Sequence, residues 1–146
     1  MASQRYDLGA AFAWLARAMI EAERPVLDEH ELQMWDYVVL AALADGPVAT
    51  QSQLSAVTGR DKTRLIPTLD RLEARGLVQR TPDPADRRNN LVASTPAGAG
   101  VLKSCRRAIR ALEKDLLADL DYDERRIFVD VLQRLADVAR PGEGAP

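Results

Sequence analysis

Thr50–Thr95 reads TQSQLSAVTGRDKTRLIPTLDRLEARGLVQRTPDPADRRNNLVAST, and the fold turns on how this stretch is parsed. Thr50-Gln51-Ser52-Gln53 has the spacing of a capping box, in which the threonine hydroxyl accepts from the amide three residues on and the glutamine reaches back. A short helix then runs to about Val57, and Thr58-Gly59 makes a turn. Asp61 caps a second helix over about 62–75. Its Leu65, Leu69 and Leu72 recur on one face, placed to pack on Leu54 and Val57. Thr63, Arg64, Pro67, Thr68 and Arg71 fall largely on the other face. Pro67 lies beyond the first turn, where it removes a backbone hydrogen bond and crowds the previous turn, so a kink or local widening is expected.

Gly76 stops that helix. Leu77-Val78-Gln79-Arg80-Thr81 reads as a strand and Leu91-Val92-Ala93-Ser94-Thr95 as its partner, with PDPADRRNN between them. Helix, turn, helix, strand, basic loop and returning strand make a winged helix-turn-helix, in a chain that is mainly α (α+β). A helix face of hydroxyls and guanidiniums suits a major groove, and the arginines of the wing suit a minor groove. A plain solvated helix face and a plain solvated hairpin loop are the alternatives. On the DNA reading, Arg60, Lys62 and Arg75 are phosphate candidates. Thr63, Arg64, Thr68 and Arg71 are base-edge candidates. Thr50, Gln51 and Ser52 complete the set on the helix-turn-helix.

Outward from this stretch the chain is helical. Residues 6–24 form a first helix with Leu8, Phe12, Leu15, Met19 and Ala22 in one stripe; Pro25 ends or kinks it, and VLDEHE follows as a connector. Residues 32–44 form another, with Met34, Val38 and Ala41 or Ala42 on one face. Asp45-Gly46-Pro47 is a stop. After the wing, Thr95-Pro96 opens a helix as N-cap and N1. It runs to about Leu117 with a stripe of Val101, Cys105, Ile109, Leu112 and Leu116. Asp121 starts a last helix, whose apolar face is Ile127, Val131, Leu135 and Val138. The tail PGEGAP is too polar and too rich in Pro and Gly to fold.

Composition fits a single domain over 1–146. It contains no apolar run of about 18 residues, so no membrane span is read, and no signal peptide is read at the N-terminus. One cysteine excludes an internal disulfide framework and a thiolate metal cluster. A cytoplasmic location is the expectation. The net charge is -2, yet its distribution matters more than its sum. Residues 1–59 hold 3 basic and 8 acidic side chains, residues 60–90 hold 8 and 5, and residues 91–146 hold 9 of each. The one positive block is the candidate reading head. Screening over about 8–10 Å lets it act despite an acidic remainder.

Two blocks carry a resemblance. Asp86-Arg87-Arg88, then Asn89 through Ser94, then Thr95-Pro96-Ala97-Gly98, is similar to the wing signature of the MarR family of bacterial transcriptional regulators. Leu69 through Val78 resembles the family's recognition helix running into its first strand. The resemblance covers almost the whole chain; it departs at Ser94, where an apolar residue is more usual, a change that would loosen the wing base but leave the assignment intact, and at Pro67. It implies an obligate homodimer, with dimerisation helices at 6–31 and 96–140 around a DNA-binding core at 32–95 and a disordered tail at 141–146. These helices also carry more apolar surface than one reading head can cover. Asp86 would orient the wing, Arg88 would enter the minor groove and Arg87 would meet a phosphate. Two recognition helices on a two-fold axis then read a pseudo-palindromic operator in double-stranded DNA.

The family also implies a repressor released by a small aromatic or phenolic effector held between dimer layer and reading head. Trp14, Arg17, Trp35 and Tyr37 lie on or near the first two helices, where such a pocket would sit. With Asp61, Trp14 and Arg17 are loosely similar to the tryptophan, arginine and aspartate set of urate-responsive relatives. Core packing is the favoured reading of both tryptophans, and His30 reads as a surface residue. Cys105 reads as small apolar filler. The competing function is a protein-interaction or redox-responsive winged-helix module, with DNA binding lost or switched through Cys105. An enzyme would need a nucleophile with a base, a carboxylate pair or a metal site. One His and one Cys far apart offer none, so no catalytic residue, metal or cofactor is expected.

Overall fold

The computed structural model describes residues 7–44 and 49–139. Tyr6, the Asp45-Gly46-Pro47 stop and the 141–146 tail lie outside the described residues. The described elements run α1 (Leu8–Glu29), α2 (Met34–Ala44), β1 (Ala49–Thr50), α3 (Gln51–Thr58), α4 (Lys62–Ala74), β2 (Val78–Pro82), β3 (Asn90–Ser94), α5 (Pro96–Leu116) and α6 (Tyr122–Ala139).

Local chemistry sets most of these boundaries. Asp7 caps α1 by accepting from the Gly9 and Ala10 amides. The capping box on α3 is present in both directions, Gln53 N to Thr50 Oγ1 at 3.1 Å and Thr50 N to Gln53 Oε1 at 2.9 Å. Gly59 ends α3 with φ 69°, a left-handed cap that a side chain would strain. Asp61 caps α4, Thr95 caps α5 and Asp121 pairs reciprocally with Glu124 at the start of α6.

β2 and β3 pair antiparallel from Val78↔Ser94 to Pro82↔Asn90. β1, which the sequence reading missed, adds to the other side of β3 through Ala49↔Val92 and Thr50↔Leu91. Two residues are too few for an alternation to show. The core lies where α2, α3 and α4 meet the sheet and the first half of α5. Leu40, Leu54, Leu65, Leu69, Leu72, Val78, Val92 and Cys105 are fully buried there.

Several expectations are corrected. α1 does not end at Pro25 but continues to Glu29, because the next turn carries Leu27 into the core. α4 runs from Lys62 to Ala74 with the exposed Pro67 inside it. The fully buried residues of α2 are Asp36, Val39, Leu40 and Leu43; Ala41 and Ala42 pack half-buried against that core, and Met34 and Val38 are only half-buried. This helix is apolar nearly all round, so periodicity does not select a face. Val57 is exposed and Leu54 alone of the pair meets α4. On α5 the buried stripe is Gly98, Leu102, Cys105 and Ile109. No residue of α6 is buried in the single chain.

Candidate nucleic-acid interface

α4 stands on α3 and α2 through its leucines and turns Lys62, Thr63 and Arg64 outward in its first turn. Arg64 keeps a loose ion pair with the capping Asp61 at 3.5 Å and remains largely exposed. Arg60, at the turn between the helices, lies over the Trp35 ring at 4.3 Å from its centroid. That cation–π contact fixes the start of the reading head against α2. Gln51 is half-buried and Ser52 exposed, and Thr50, the last residue of β1, acts as the helix cap.

Three expected contacts are reassigned. Thr68 is 0% exposed and its hydroxyl turns back to the Arg64 carbonyl at 3.4 Å, so it cannot meet a base edge. Its position on α4, three residues from Leu65 and four from Leu72, places it within the apolar stripe. Arg71 donates to Asp36 at 2.8 Å across to α2, and Asp36 also accepts from the Gln33 amide at 2.8 Å. Its side chain is 41% exposed while that of Asp36 is 4% exposed. Arg71 therefore holds α4 against α2. Arg75 donates to the carbonyls of Glu31 and His30 at 2.6 and 3.0 Å. It puts a cation on the carbonyl end of α1, where the helix dipole favours one. It also steadies Glu31, a non-glycine residue at φ 54°.

The wing is braced from both ends. At its base the Thr95 hydroxyl donates to the Gly76 carbonyl at 2.6 Å and its amide to the Leu77 carbonyl at 3.1 Å. Pairing runs to Ser94, whose hydroxyl is itself bonded to Thr95, so the serine leaves the base closed. Arg80, which sequence reasoning passed over, is mostly covered and binds Asp70 and Glu73 of α4 at 2.6 and 3.1 Å. The guanidinium pulls the Glu73 carboxyl below its usual range, and Glu73 in turn pushes Arg80 up. An arginine ten residues beyond a helical carboxylate, across a turn, gives no periodic signal. At the tip Asp86 orients the loop, accepting from the Arg88 amide and guanidinium at 3.1 Å each. Arg88 holds the Asp86 carboxyl below the usual aspartate range. Arg88 itself is 90% exposed and Arg87 is exposed beside it.

The effector candidates do not come together. Trp14 is 65% exposed on the single chain, against the expectation of core packing. Arg17 is exposed and paired with Glu21. Trp35 lies under Arg60, and Asp61 is committed to its cap. Tyr37 is half-buried, its phenol pushed up by burial and hydrogen-bonded to Arg106. A cavity of about 460 Å³ between α2 and α5 is lined by none of these five. Cys105 is fully buried and desolvation pushes its thiol up, which disfavours the reactive thiolate. Among the described residues no group of His, Cys, Asp or Glu could hold a metal ion, and no helix is long and apolar enough to cross a membrane.

Comparison with known proteins gives a consistent set of likenesses. The profile of the MarR family matches residues 30–89, from the end of α1 to the tip of the wing. The multiple antibiotic resistance protein MarR of Salmonella typhimurium is 34% identical over 100 residues, covering 68% of this chain and 69% of that protein. The PcaV transcriptional regulator of Streptomyces coelicolor, solved with its natural ligand, is 30% identical with a TM-score of 0.68, covering 95% of this chain and 99% of that one. The transcriptional repressor CouR of Rhodococcus jostii RHA1, solved on a 23-mer DNA duplex, is 26% identical with a TM-score of 0.79, covering 96% and 97%.

Proposed function

The chain belongs to the MarR family of transcriptional regulators, and on that premise we propose that it is a homodimeric repressor that reads a pseudo-palindromic operator in double-stranded DNA. One observation carries the reading. Lys62, Thr63 and Arg64 on α4 and Arg87 and Arg88 on the wing are exposed and reach no other element of the fold, while Arg71, Arg75 and Arg80 are each tied to another element, through Asp36, the Glu31 and His30 carbonyls, and Asp70 with Glu73. Cations that bridge elements are thus separated from those whose ion pairs, where they make one, are only with a near neighbour in the chain, and the latter lie on the two parts that enter grooves. Arg64 and Thr63 take base edges, Lys62 and Arg87 take phosphates, and Arg88, oriented by Asp86, takes the minor groove. Arg60, stacked on Trp35, reaches a phosphate from the turn. Thr50 caps the front of α3, where the Gln51 and Ser52 amides approach the backbone of the duplex.

Two copies join through α1, α5 and α6. Leu8, Phe12 and Leu15 on α1 and Ile127, Val131, Leu135 and Val138 on α6 are exposed in one chain, and a second copy covers them. The α2–β3 unit forms the DNA-binding core between these layers. A small effector bound near the junction of core and dimer layer releases the operator. A regulator of this kind acts in the cytoplasm, on its own genome, and catalyses no reaction.

Selection of bound sequences from a random duplex pool at near-physiological salt tests the proposal. A pseudo-palindrome with half-sites about one helical turn apart is the expected product. Enrichment of no sequence, or operator affinity unchanged when Arg64 and Arg88 are both neutralised, would favour an interaction module instead. Burial of Cys105 counts against a switch through that thiol.

A further inference from the structure

Residues 96–111 of α5 contain four cations and no acid. Lys103, Arg106, Arg107 and Arg110 follow at i, i+3, i+4 and i+7, which is one face of a helix. Lys103 and Arg107, and Arg106 and Arg110, are like-charge neighbours at i,i+4, an arrangement that weakens a helix unless an anion answers it. Among the described residues, none of the ion pairs involves Lys103, Arg107 or Arg110. All four cations line the cavity of about 460 Å³ between α5 and the end of α2, whose remaining wall is Ala44, Ala99 and Leu102.

We propose that this cavity binds a small organic polyanion, a molecule bearing phosphate groups or an equivalent cluster of negative charge beside an apolar portion. The volume suits a ligand of nucleotide size. The Arg107 and Arg110 guanidiniums present paired donors that match phosphate oxygens and Lys103 adds a third charge, whereas a single aromatic carboxylate answers only one of them. A duplex is the poorer fit: the four cations line a recess with an alanine and leucine wall, on a helix separate from α4 and the wing. Arg106 also hydrogen-bonds Tyr37 on α2, and the same helix holds Arg71 of α4 through Asp36. A ligand that competes for Arg106 therefore acts on the helix that seats the recognition helix. The effector role rests on the regulator reading above, while the binding site itself does not.

Calorimetry on the full chain with pyrophosphate, ADP and benzoate at fixed ionic strength tests this. ADP should bind at least tenfold more tightly than benzoate. The double variant Arg107→Gln, Arg110→Gln should lose at least tenfold in ADP affinity while keeping its helical content, its oligomeric state and its ligand-free operator affinity. Absence of binding by both polyanions at millimolar concentration, or equal binding to the double variant, overturns the proposal. Loss of operator affinity in the ligand-free double variant assigns the cations to DNA and also overturns it. Dissociation of the double variant into monomers assigns them to the contact between copies, with the same result. If the chain binds no operator yet binds ADP through Arg107 and Arg110, the regulator reading fails and the site stands.

Discussion

Arg71 and Arg64 are seven residues apart on one helix, and their surroundings give them different work. Arg71 reaches Asp36, which is almost wholly buried; removing the guanidinium leaves that carboxylate without its charge partner. Arg71→Ala should lower the unfolding free energy by about 2 kcal/mol, the usual cost of losing a charged hydrogen bond at a partly covered site. Arg64→Ala should change stability by less than about 0.5 kcal/mol but weaken operator binding about tenfold or more. Urea unfolding beside a binding titration separates the two. Full stability of Arg71→Ala together with lost DNA binding would return Arg71 to the base edges. The carboxylates offer a second check at this scale. Arg80 depresses Glu73 and Arg88 depresses Asp86. A carboxyl lowered by folding adds stability that is complete above its unfolded value and disappears as pH falls through its folded one. Both contacts should therefore hold at neutral pH and weaken below about pH 4. Carboxyl carbon shifts should titrate lower than in Arg80→Gln and Arg88→Gln respectively; identical titrations would remove the pairings as the cause.

Helix ends were legible because their signals are local. Thr50 with Gln53, Asp61, Thr95 with Pro96, and Asp121 with Glu124 act within three residues of themselves. The prolines were less legible. A proline removes one helix bond, and whether the helix survives depends on what the following turn buries, as Leu27 does beyond Pro25. Gly98 gives the test for an element. It sits in the first turn of α5, where alanine would raise helix propensity by about 1 kcal/mol. An added Cβ would meet the Leu77 carbonyl oxygen at 2.0 Å and the Ser94 hydroxyl at 2.9 Å. Backbone cannot yield as a side-chain end can, so the clash should win. Gly98→Ala should destabilise by about 1–3 kcal/mol, while Gly100→Ala, with open space around it, should be neutral or stabilising. A thermally stable Gly98→Ala would mean that α5 can slide away from the wing.

For the molecule as a whole, α6 is the telling element: eighteen residues with a regular apolar stripe and no burial in one chain. If a second copy covers it, the melting temperature must rise with protein concentration, since association stabilises only the folded form. Replacing Ile127 and Leu135 with aspartate should yield monomers with a lower, concentration-independent Tm. Sedimentation of the wild type as a monomer across the micromolar range would count against the dimer. Charge is also a matter of the whole molecule. Nine bases balance nine acids over residues 91–146, and that cancellation hid the cationic face of α5.

The order of helices, the turn at Gly59, the two wing strands and the exposed pair Arg87 and Arg88 follow from the sequence alone, because caps, glycines and alternation work over three or four residues. Tertiary structure alone decided which side of α2 is buried, that Thr68 belongs to the core and that Arg71, Arg75 and Arg80 brace the fold. It also decided that four cations of α5 share one cavity. Arg71 and Arg75 find partners 35 to 45 residues away, and such contacts depend on how packed elements meet, which no local pattern in the chain encodes.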